Sequence, residues 1–194
     1  MNSVAPALRW QLRDAGDSQV ATWSINLTAE QANELRRGLV ETSTLHAWTN
    51  QSGRLTDLMS LGFAGLFAMS ERLAGVFRNL TGQHLYPIRL GAEGSTYYVL
   101  GVTGRCGSVD FGQSEIVDRM GGFAFLRGLA LTQATDNDAD VTMPDNLDVV
   151  LVSNRAADAI VALAPNNVLL EPIAEVVIPL AASRIRDTNS RQGD

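Results

Sequence analysis

The chain has 194 residues, 45% hydrophobic and 19% charged, with a net charge of −6. A chain of this length buries roughly 70% of its unfolded surface, so it can hold a core without disulfides or metal. The acidic balance argues against a nucleic-acid backbone or an anionic membrane as partner. One cysteine, Cys106, excludes an internal disulfide and fits a reducing compartment.

All fifteen basic residues are arginine, so a phosphate loop ending in Gly-Lys-Ser/Thr is impossible. Residues 1–13 carry charge and lack the apolar centre of a secretory signal. The longest apolar stretch, Leu58 to Met69, falls short of the roughly twenty residues a bilayer requires. The expectation is a cytoplasmic protein with one domain over 1–182. Within it, 1–56 forms a strand-and-helix lead-in and 57–182 the core; 183–194 is a disordered tail.

In chain order, Ala7 to Arg13 and Val20 to Leu27 read as short strands separated by the turn chemistry of Asp14-Ala15-Gly16-Asp17. Thr28 and Gln31 have the spacing of a capping box, opening a helix with Leu35, Leu39 and Val40 on its apolar stripe. Residues 42–56 are polar and read as a loop. Ser70 is placed to cap a helix of about three turns carrying Leu73, Val76, Phe77 and Leu80, with Gly82 ending it. Leu85 to Leu90 and Thr96 to Val102 read as a hairpin about Gly91-Ala92-Glu93-Gly94. Asp136 to Asp145 reads as an acidic loop. Val149 to Val152 then leads to a helix capped by Ser153 and stopped by Pro165-Asn166-Asn167. Pro172 and Pro179 confine the last strands to sheet edges. The fold class expected is α+β, a mixed sheet packed with a few short helices.

Two segments share an order of events: strand, Ser-x-Arg, amphipathic helix, turn, strand, proline. Pairing residues 69–80 with 152–163 matches Ser70 with Ser153, Arg72 with Arg155, Ala74 with Ala157 and Leu80 with Leu163. Pro87 and Pro172 correspond after a two-residue slip. Two related strand–helix–strand units on one mixed sheet follow if the echo is real. Arg72 and Arg155 could form an anion site, but the favoured reading is structural: serine caps, with arginines bracing carboxylates.

Other chemistry is sparse. His46 and His84 lie far apart and outside metal-ligand spacing. The glycines of 101–107 are followed by Ser108-Val109-Asp110, which does not open the helix a dinucleotide site needs. Asp136-Asn137-Asp138-Ala139-Asp140 imitates a calcium loop, but Val141 and Leu147 stand where Gly and Glu belong. No metal or cofactor is expected. Asp136, Asp138, Asp140, Asp145 and Asp148 form the candidate partner-binding patch, an acidic surface able to steer a basic protein; a merely solvated loop is the alternative. Two further functional readings stay open. One is a small-molecule enzyme using Cys106, Asp110 and Arg105. The other is an oligomeric scaffold assembled through edge strands and the Leu58–Met69 run.

The ordered series Phe67–Leu73, Leu85–Leu90, Tyr97–Leu100, Val109-Asp110 and Ser114, then Val150–Arg155 and Leu170–Ile173, resembles an immunity-protein family of bacterial polymorphic toxin systems. The resemblance covers roughly residues 57–173. It implies a cytoplasmic antitoxin that binds and neutralises a cognate toxin, often a nuclease, by occlusion. It implies no catalytic residues and no direct contact with nucleic acid or membrane.

Overall fold

A computed structural model describes residues 9–16, 19–40, 45–90, 95–120, 122–132 and 139–181. Three sheets and three short helices make up an α+β fold. The expected tail and the turn at 91–94 lie outside the described residues.

The strands of the first sheet are β1 (Arg9–Asp14), β8 (Gly104–Arg105), β11 (Val141–Met143), β12 (Val150–Ser153) and β13 (Val168–Pro172), in the order β13-β1-β12-β11-β8. The second holds β2 (Thr22–Ile25), β3 (Leu45–Gln51), β4 (Leu58–Ser60), β5 (Phe67–Ser70), β6 (Gln83–Leu90) and β7 (Ser95–Val102), in the order β2-β3-β6-β7-β5-β4. A third, three-stranded sheet of β9 (Glu115–Met120), β10 (Phe123–Arg127) and β14 (Val177–Ala181) has β10 at its centre. Both prolines sit on edge strands, Pro172 in β13 and Pro179 in β14, as a missing ladder donor requires.

Helix α1 (Ala29–Arg36) opens on the expected capping box, with Thr28 and Gln31 each accepting the other's backbone N–H. Helix α2 (Glu71–Phe77) starts at the Ser70 cap but lasts two turns rather than three, closing at Arg78 before Gly82. Helix α3 (Asn154–Leu163) is capped by Ser153 and ends on Ala164 in the left-handed conformation.

Several expectations need correction. The two N-terminal strands do not form a hairpin: β1 pairs with β12 and β13, whereas β2 pairs with β3. The polar stretch 42–56 contains β3, which holds its place between β2 and β6 through backbone pairing rather than an apolar pattern. The acidic loop contains β11, whose three residues are all buried.

The two strand–helix–strand units are present, on separate sheets rather than one. In the first, β5 and β6 both pair antiparallel with β7; in the second, β12 and β13 both pair antiparallel with β1. Strand β1, from the far end of the chain, therefore completes the second unit as β7 completes the first. The registers agree residue by residue. Tyr97 faces Ser70 and Arg9 faces Ser153; Pro87 faces Tyr98 and Pro172 faces Trp10.

The main core is built largely from the resulting equivalent pairs: Leu100 with Leu12, Leu58 with Val141, Phe67 with Val150, Met69 with Val152, Leu73 with Ala156 and Phe77 with Ile160. Burial of both members of each pair joins the halves through one apolar interior. A second core lies between α1 and the β2–β3–β6–β7 sheet, and a third under the β9–β10–β14 sheet.

Candidate functional site

The duplication extends to two buried carboxylates. Asp57 stands thirteen residues before Ser70 and fifteen before Arg72; Asp140 stands at the same intervals before Ser153 and Arg155. Asp57 accepts from Ser70 Oγ at 2.5 Å and from Arg72 Nη2 at 2.6 Å. Asp140 accepts from Ser153 Oγ and Arg155 Nε, both at 2.9 Å, and closes an ion pair with Arg155 Nη2.

Each carboxylate also reaches into the other unit. Asp57 accepts the Asn166 N–H at 2.8 Å, and Asp140 accepts the Thr81 N–H at 3.0 Å. Asn166 and Thr81 occupy equivalent positions after α3 and α2. Two flanking contacts repeat as well: Tyr97 Oη donates to the Thr56 carbonyl, and Arg9 Nη1 to the Ala139 carbonyl. This reciprocity is the signature of an approximate two-fold axis inside one chain.

The carboxylates are held ionised. At Asp140 the hydrogen bonds from Arg155 outweigh burial and keep the group below the ordinary aspartate range. At Asp57 burial alone pushes the pKa up, but hydrogen bonds from Arg72, Ser70 and the Asn166 N–H reverse it to a net lowering. Arg72 and Arg155 line a shallow pocket of about 390 Å³ with Val76, Asn79 and Ala159. With both guanidiniums bound to carboxylates, the structural reading of the Ser-x-Arg motifs holds.

The five-aspartate patch does not form one surface. Asp140 is 3% exposed and saturated by its partners, so it is corrected from a partner-binding residue to a joint between the units. Asp136 and Asp138 lie outside the described residues. Asp145 and Asp148 are exposed, and Asp148 is paired with the buried Arg36 of α1.

The residues of the alternative enzyme reading are also committed elsewhere. Cys106 is 1% exposed, and burial pushes its thiol pKa up, the reverse of what a nucleophilic thiol needs. Asp110 caps a single 3-10 turn by accepting the Gly112 N–H at 3.0 Å. Burial, followed by the nearby Arg37 charge, lowers the pKa of Arg105. His84 stacks on Tyr86, with ring centroids 4.4 Å apart. The Leu58–Met69 run of the scaffold reading is largely interior: Leu58, Met59, Leu61, Leu66 and Phe67 through Met69 are buried.

The largest open feature is a groove of about 600 Å³ between the end of β1 and the turn joining β4 to β5. Gln11, Arg13 and Asp14 form one wall, Ser60 and Gly62 through Gly65 the other, with Phe67 and Val149 beneath and Asp148 at one side. The Gln11 side-chain oxygen is buried without a hydrogen-bond partner among the described residues. Arg13, the groove's one cation, reaches out to Glu171 at 3.5 Å. Sequence reasoning missed this groove because its walls come from segments about fifty residues apart. Among the described residues no helix is long and apolar enough to cross a membrane.

Compared with models of known protein families and with the curated proteins, the sequence matches none of them.

Proposed function

We propose that this protein is an immunity-type antitoxin that binds a cognate bacterial toxin and occludes its active or substrate-binding surface. The observation that carries the reading is a correspondence. The ordered segments resembling the immunity family (Phe67–Leu73, Leu85–Leu90, Val150–Arg155, Leu170–Ile173) are the paired strands, capped helices and proline-bearing edges of the duplicated core. The net charge of −6 adds long-range attraction for a basic toxin and makes capture faster at low salt.

Neutralisation inside the producing cell calls for nanomolar binding, about −12 kcal/mol. An interface of about 1,600 Å² with a few well-packed anchors supplies that. The reading assigns no turnover to the protein, and its compartment is the cytoplasm where such toxins are made.

The test is co-expression with the toxin encoded by the neighbouring gene, with recovery of the complex. Restored growth together with a stable stoichiometric complex supports the reading. Unrelieved toxicity with no complex refutes it.

A further inference from the structure

The two-fold relation makes the groove informative, because its equivalent on the other half of the core is filled. There the C-terminal turn of α1 lies against β7 and the β11–β12 turn. The Leu35 carbonyl and the Gly38 Cα each come within 2.9 Å of where a Gly101 side chain would begin. Arg36 pairs with Asp148, its stem running beside Gly65, and Arg37 Nη2 donates to the Asp145 carbonyl at 3.4 Å. Carrying that surface across the axis takes Gly101 to Arg13, Thr103 to Ala15, Asp145 to Gly62 and Asp148 to Gly65. All four of these equivalents line the open groove.

We infer that the groove receives an arginine-bearing helical turn of the partner toxin, seated as the Leu35–Gly38 turn is seated on the equivalent surface. This rests on the antitoxin reading proposed above and deepens it by naming the site.

The walls supply the chemistry such a turn needs. Gln11 offers a buried carbonyl oxygen with no donor, and Asp14 and Asp148 offer carboxylates. Phe63 and Phe67 flank the aliphatic stem of an inserted arginine. Gly62 and Gly65 keep the opposing turn thin, as Gly101 does beneath α1. Gly65 itself is fixed: it has φ +68°, and a Cβ would stand 2.8 Å from the Asp148 carbonyl oxygen. The inserted arginine exchanges water for acceptors already in place, so little reorganisation opposes binding.

The experiment titrates a catalytically inactive form of the neighbouring gene's toxin into the full-length protein by calorimetry. It compares wild type with Ala64→Trp and Ala64→Arg, both at an exposed position of the groove turn, and with Val161→Ser on the exposed face of α3. The expected result is at least a thirtyfold rise in Kd for both Ala64 variants, with unchanged melting temperature, and wild-type affinity for Val161→Ser. Ala64 variants within twofold of wild type overturn the groove assignment while leaving the antitoxin reading intact. No binding by the wild type overturns both. Self-association of the wild type that Ala64→Trp abolishes overturns the toxin as occupant in favour of a second copy.

Discussion

Replacing Asp140 with alanine removes one acceptor from four donor groups: Arg155, Ser153 Oγ, and the N–H and hydroxyl of Thr81. The Arg155 side chain is 66% exposed and returns to water, which limits the loss. The Thr81 N–H and the Ser153 hydroxyl are part-buried and lose a charged acceptor, each such bond being worth about 1.5–3 kcal/mol. Because these contacts are coupled, the expected total is about 3 kcal/mol, the lower end of the range for breaking a buried pair. For a chain of this size that is a fall of roughly 6–12 °C in Tm. Asp57→Ala should behave alike, since its donors are equivalent. Asp145→Ala, at an exposed carboxylate, should change little. Thermal and urea denaturation at neutral pH measure all three. A loss below about 1 kcal/mol for Asp140→Ala would refute the view that the carboxylates join the two units.

Acid should expose the same joints. Both aspartates titrate lower when folded than when unfolded, so their stabilisation is complete above about pH 4 and is lost as pH falls through the folded-state values. The Asp57→Asn, Asp140→Asn double variant should flatten that dependence in denaturation measured from pH 6 to pH 2. Gly101→Ala places a Cβ 2.8 Å from the Tyr86 ring and 2.9 Å from the Leu35 carbonyl oxygen, so α1 must shift, at about 1–3 kcal/mol by denaturation. Gly75→Ala meets nothing within 4 Å inside α2 and should stabilise by roughly 0.5–1 kcal/mol. Cys106 should resist a thiol reagent in the native protein and react fully in urea, whereas rapid native labelling would contradict its burial.

Local signals were the legible part of this fold. Hydroxyl side chains before amphipathic runs located all three helix starts, because a cap satisfies backbone donors within a few residues. The echo between the two Ser-x-Arg segments was visible too, and its extension was available: aspartate recurs thirteen residues before each serine. What local pattern could not reveal was pairing at a distance. Nothing in Arg9–Asp14 indicates that its neighbours are residues 150–153 and 168–172. The aspartates misled for a related reason. Residue type suggested a solvated patch, whereas burial depends on which donors the rest of the chain brings, and at Asp140 these come from Thr81, Ser153 and Arg155.

Hydrogen exchange on the antitoxin alone and on its complex with the inactive toxin tests the central claim most directly. The account predicts new protection confined to residues 11–16 and 60–67, with the equivalent surface already covered by α1 unchanged at 99–104. Protection elsewhere, with the groove exchanging as fast as in the free protein, would contradict it.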